Sequence, residues 1–267
     1  MGQVVDTVTA KEFMAETLNR VDADELARIC AEVEAKSEWF QQVLSADNLA
    51  AMPHEDFQAV LRRIFATRGK TRRMLLDIEW SKMRDDLSQL LFGDDQVAQR
   101  LESFVGGLRA QCEDLPENLL VDFATELLHF SQPDRCWLWT RWMWDARTKT
   151  GALPLVTTAA YDLSGESVAD IYVKVGRAIA FVHEVGESAG FQRISKNVFG
   201  TDVFLTCVYT VYTYTVLRIR MTKEFNKVMP MLPELSRRLL GVYEKPSTGS
   251  RASGTVGAPN GAQKPEV

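Results

Sequence analysis

From residue 8 to residue 131 the chain repeats one pattern: apolar residues three and four positions apart, with proline and glycine between the repeats. "TAKEFMAETLNRV" and "DADELARICAEVEAKSEWFQQVL" carry it, and Asp22 or Asp24 stands where a cap of the second is needed. "MPHEDFQAVLRRIFATRG" opens on Pro53 and closes at Gly69. "KTRRMLLDIEWSKMRDDLSQLLFG" runs to Gly93, then come "DDQVAQRLESFVGGLRAQCEDL" and, from Pro116, "PENLLVDFATELLHF". No convincing strand intervenes and no repeat period is obvious. Such a chain must bury helix against helix, so the fold class is all-α: a multi-helix globular domain.

Four of the six tryptophans fall within "WLWTRWMW", residues 137–144. The punctuation around them predicts a helix. Ser131 and Asp134 form an S-x-x-D capping box, Pro133 occupies the first turn, and Gly151 follows Lys149 at the far end. At about 100° per residue, Trp137 and Trp144 share one face and Trp139 and Trp142 the other. Aromatics on both sides predict a central Trp-rich helix enclosed by protein. Three arginines, Arg135, Arg141 and Arg147, are threaded through it. Buried arginines need a carboxylate or a ligand. Arg141 and Asp145 are spaced to pair along a helix. The alternative is a pocket wall for an anionic or flat ligand, with Arg135, Trp137, Arg141 and Trp144 as its binding residues.

Beyond Gly151, "ALPLVTTAAYDLSGES" reads as irregular or briefly extended. "SVADIYVKVGRAIAFVHEVGESAGF" returns to helical period behind a Ser167/Asp170 capping box. "TDVFLTCVYTVYTYTVLRIRM" is rich in β-branched and aromatic residues, which favours a strand. With no partner strand of comparable quality, a buried helix capped by Thr201 or Asp202 is the preferred reading. A last helix is expected over 233–243. The Gly-, Ser- and Pro-rich sequence that follows reads as a disordered tail. The expected organisation is a helical domain over 1–243 and a tail over 244–267.

The balance of 31 Lys and Arg against 36 Asp and Glu leaves a net charge of −5, so there is no global basic field for nucleic acid. One local patch stands out. "RRIFATRGKTRR", residues 62–73, supplies Arg62, Arg63, Arg68, Lys70, Arg72 and Arg73 around Gly69. It is a candidate anion-binding corner where two helices meet, for phosphate, nucleotide or an acidic partner. Without stacking aromatics or a known motif, sequence-specific nucleic-acid binding is not expected.

Other chemistry finds little support. Cys30, Cys112, Cys136 and Cys207 form no C-x-x-C pair and read as reduced, buried thiols. Glu126 and His129 make an E-x-x-H, and His183, Glu184 and Glu187 offer further ligand types, but the second E-x-x-H of a di-metal bundle is missing. G-x-x-x-x-G-K-[ST], G-x-G-x-x-G and G-x-S-x-G are absent. No cofactor is expected. The N-terminus lacks a basic region followed by an apolar stretch, so no signal peptide is expected. The longest uncharged apolar run, 203–217, falls short of the roughly 20 residues of a membrane span. These readings together anticipate a cytoplasmic, non-enzymatic accessory or interaction protein with a protein partner, such as a subunit of a larger assembly. The alternatives are a ligand-binding protein or enzyme built on the Trp/Arg segment, and a nucleic-acid-associated factor using 62–73.

Overall fold

The computed structural model describes residues 4–220 and 230–243; the tail expected at 244–267 lies outside them. Among the described residues the chain is all-α, with thirteen helices and no strand. The N-terminal helices are α1 (Thr7–Leu18), α2 (Ala23–Val43), α3 (Ala46–Ala51) and α4 (His54–Arg63). Then come α5 (Thr71–Asp77), α6 (Trp80–Phe92), α7 (Val97–Gln111) and α8 (Glu117–Ser131). A single helical turn, α9 (Leu153–Val156), precedes α10 (Val168–Glu184) and α11 (Gly186–Ala189). The last two are α12 (Val198–Arg220) and α13 (Leu232–Leu240).

Several helix ends follow directly from local chemistry. The Asp22 carboxylate accepts the Glu25 amide at 2.6 Å and starts α2. Ser167 accepts the Asp170 amide at 3.2 Å and starts α10. Pro53 and Pro116 stand immediately before α4 and α8, where a missing N–H costs nothing. Gly93 ends α6.

The centre of the molecule is α8. Every residue from Leu119 to Phe130 is buried, apolar and polar alike, so Asp122, Thr125, Glu126 and His129 must find partners inside the protein. α2 and α7 flank it, α10 lies against α7, and α12 packs on α1, α2 and α13. One continuous apolar core runs through all of these.

Four expectations are corrected. The Trp segment is neither helical nor the central element. From Gln132 to Ala152 the backbone is extended or turning, with an antiparallel bridge between Asp145 and Thr150. Ser131 is the last residue of α8, not a cap of the next helix. The helix opening on Pro53 stops at Arg63, not at Gly69. The next turn instead finds tertiary partners: Thr67 Oγ1 donates to the Leu61 carbonyl at 2.6 Å, and the Phe65 amide donates to Glu126 at 3.3 Å. The helix expected to run on to Gly93 breaks at Ile78, which adopts extended backbone and buries its side chain. Finally, 203–217 is helical, as preferred, but α12 begins at Val198, so Thr201 and Asp202 lie inside it rather than at its cap.

Candidate ligand pocket

The polar residues of α8 explain why the Trp segment leaves the helical path. Asp122, Thr125 and His129 sit at positions i, i+3 and i+7, on one face. Each takes a main-chain group of the segment. Asp122 Oδ1 accepts the Arg141 amide at 2.7 Å. The Thr125 hydroxyl reaches the Trp139 carbonyl. His129 Nδ1 donates to the Cys136 carbonyl at 2.8 Å. A segment whose backbone is satisfied this way gains little from coiling. Its far end closes through Gly151, at φ 146°, where a Cβ would lie 2.2 Å from the Met143 carbonyl oxygen.

His129 Nε2 lies 2.8 Å from Asp202 Oδ2 on α12. Because a carbonyl can only accept, Nδ1 carries one proton and the His129–Asp202 pair shares a second. On another side of α8, Glu126 meets Lys36 of α2 at 3.0 Å, both side chains buried. Burial pulls the Lys36 ammonium down and pushes the Glu126 carboxyl up, each countered by the other's charge. Lys36 also donates to the Leu240 carbonyl at 2.9 Å, tying down the end of α13. Glu126 and His129 therefore serve two different partners. His183 bonds Thr201 at 2.7 Å, and Glu184 and Glu187 are exposed. Among the described residues no three potential ligands gather as a metal site requires.

Between the Trp segment, the start of α8 and the start of α10 lies a pocket of about 320 Å³. Trp139, Trp144, Val121, Val168 and Ile171 line it together with charged residues that include Glu117, Asp122, Arg141, Asp145 and Arg147. Asp122 lies in it, almost wholly buried, and its second oxygen accepts Arg141 Nε. Burial pushes the Asp122 carboxyl up to about 7, against the pull of Arg141. Trp139 donates its indole N–H to the Trp144 main-chain carbonyl at 2.9 Å, which ties the Trp139 ring to the backbone of the segment. The indole N–H of Trp144 is buried with no hydrogen-bond partner among the described residues.

Of the residues expected to bind a ligand, Arg141 and Trp144 line this pocket. Arg141 pairs with Asp122 rather than with Asp145, because without a helix the four-residue spacing no longer faces the two together. Trp137 points elsewhere: its ring packs on Gly176 and lies 5.9 Å from the His183 ring. Arg135 is exposed and outside the pocket. Asp122, Trp139 and Arg147 were not foreseen as pocket residues. A carboxylate within the apolar run 119–130 was the available signal for Asp122.

The six basic residues of 62–73 divide into groups. Arg62 and Arg63 line two hollows of about 610 and 780 Å³ on either side of Trp39, with the Arg63 guanidinium 4.0 Å over that ring. Arg68 donates to the Arg238 carbonyl at 3.1 Å, and Arg73 pairs with Asp77 and Asp114. Lys70 and Arg72 are exposed. The second helix at this corner, α5, has only seven residues. Comparison of the chain with family models, with curated proteins and with solved structures finds no match.

Proposed function

We propose that the chain is a non-enzymatic binding protein whose ligand occupies the pocket between the Trp segment, α8 and α10. One observation carries this reading. A buried carboxylate, Asp122, holds both the backbone and the side chain of Arg141 at the wall of a cavity that also combines the rings of Trp139 and Trp144 with Val121, Val168 and Ile171. Small-molecule sites combine apolar walls with a few fixed polar groups in this way. Among the described residues, no nucleophile stands beside a base at this pocket, which favours binding over catalysis.

The four cysteines are free and buried, in keeping with a reducing, cytoplasmic setting. A second reading, an accessory role through a protein partner, is favoured by the α4–α5 corner. There Leu76 is 78% exposed near the exposed Arg72 and Lys70. With Arg68 and Arg73 already engaged, the same corner offers little to nucleic acid, and any binding there would be weak and salt-sensitive.

A thermal-shift screen of small neutral and charged aromatic compounds tests the pocket reading, run on the wild type and on Val168→Trp. Compounds that stabilise the wild type and not the filled pocket support it. Equal shifts in both proteins, or none in either, refute it.

A further inference from the structure

The charges around this pocket are not equally occupied. Three acidic side chains line it, and all three are engaged. Glu117 pairs with Arg109 at 2.9 Å. Asp122 holds Arg141. Asp145 Oδ1 accepts the Arg147 and Thr148 amides at 2.9 and 3.3 Å. The two lining arginines differ from them. Arg141 spends its backbone amide and Nε on Asp122, and its terminal Nη groups have no hydrogen-bond partner among the described residues. The Arg147 side chain has none either, though its backbone amide does. Guanidinium donors are thus left over at a site whose acids are taken.

We propose that the ligand is a small carboxylic acid with a flat, apolar body, its carboxylate held by Arg141 and Arg147 and its body against Trp139 and Trp144. This rests on the pocket reading above and names the class of molecule it takes. The planar fork of arginine matches a carboxylate with two parallel hydrogen bonds, and Asp122 fixes that fork before a ligand arrives. Rings of Trp139 and Trp144 match a flat body. The volume of about 320 Å³ lies at the small end of ligand pockets: room for one ring system and an acid arm, not for a nucleotide. Asp122 is a positioning residue here, since it acts through Arg141. A singly charged head is favoured over phosphate because only two arginines line the pocket against three acids, which leaves no surplus of positive charge for a second negative one.

The test is calorimetric titration of the full chain with 2-naphthoate and with the isosteric 2-naphthamide. The expected result is that the acid binds about tenfold or more tightly than the amide, as loss of a charge-assisted pair implies. Arg147→Gln, an exposed change that leaves the core alone, should weaken the acid several-fold and the amide, which loses only a neutral acceptor's bond, clearly less. Arg141→Lys keeps the charge beside Asp122 but loses the fork, and should cost the acid about tenfold. Val168→Trp should abolish both. If acid and amide bind alike, or if Arg147→Gln changes neither, the acid class is wrong while the pocket reading stands. If inorganic phosphate displaces the acid at equal concentration, the head group is a phosphate and the proposal is overturned. If neither aromatic binds the wild type, the acid class and the pocket reading fall together.

Discussion

Residues 133–151 and α12 exchange the structures that their local sequences favour. The first has a capping box, a first-turn proline and a terminal glycine, yet it is not a helix. The second is loaded with valine, threonine and tyrosine, yet it is a 23-residue helix. Side-chain hydrogen bonds account for the difference. In α12 three of the five threonine hydroxyls turn back on their own helix: Thr206 to the Asp202 carbonyl at 2.9 Å, Thr213 to Tyr209 at 2.7 Å, Thr215 to Val211 at 2.9 Å. These three hydroxyls are satisfied within the helix, which a buried helix tolerates, while Thr201 bonds His183 and the buried Thr210 hydroxyl has no partner among the described residues. In the Trp segment the backbone is served instead by Asp122, Thr125 and His129 of α8. Local punctuation loses where a buried neighbour supplies ready partners.

The comparison is broken most severely at Trp139, which is 5% exposed and carries the hydrogen bond to the Trp144 carbonyl. Trp139→Ala should cost about 3–5 kcal/mol in urea denaturation. A loss under about 1 kcal/mol would mean that the segment is not anchored on α8.

Arg141→Met comes next, and its cost should depend on pH. The folded Asp122 carboxyl has its pKa raised to about 7, against an ordinary 3.8, so the folded state holds this proton more tightly than the unfolded state. Its contribution to stability is therefore full below about 4 and is lost as pH rises through about 7. Removing Arg141 takes away the charge that opposes burial, so at pH 8 Asp122 must take up a proton or stay ionised without a partner, a pH-dependent cost of about 1.4 kcal/mol for one unit above about 7. At pH 5.5 Asp122 is protonated and the cost should be clearly smaller. Denaturation at both values decides: equal losses would show that Asp122 needs no partner.

Thr125→Val tests one hydrogen bond of the ladder. Its single hydroxyl hydrogen is within reach of the Val121, Asp122 and Trp139 carbonyls. The substitution should cost about 1 kcal/mol and loosen the Trp segment, read as faster amide exchange at 139–144. Thr206→Val in α12 is the matched control. Its hydroxyl bonds only its own helix, so the change should stay within about 0.5 kcal/mol. If the control costs as much as Thr125→Val, the contrast between the two regions is not one of hydrogen-bond partners.

Much of the candidate site was half-visible in the sequence. Arg141 and Trp144 stood out because arginine amid tryptophans needs an explanation, and they do line the pocket. Trp137 and Arg135 were grouped with them by helical geometry, and without the helix that grouping fails. The spacing of Glu126 and His129 suggested shared ligation, whereas one faces Lys36 and the other Asp202. The basic corner at 62–73 was visible as composition, but the engagement of Arg68 and Arg73 was not.

The sequence alone determined what a few neighbouring residues can settle: the helical class, the start of α2 to within Asp22 or Asp24, the start of α10 at Ser167, and the boundaries at Pro53, Pro116 and Gly93. A cap or a break acts over three or four residues, so its signal is local. Only the tertiary structure decided the path of the Trp segment, the partner of Arg141 and the division of the α8 face. Asp122 and Arg141 are 19 residues apart, Lys36 and Glu126 90, His129 and Asp202 73. No periodicity encodes such pairs. They form because a polar group carried into the core must find its hydrogen bond wherever the packing of the helices puts one.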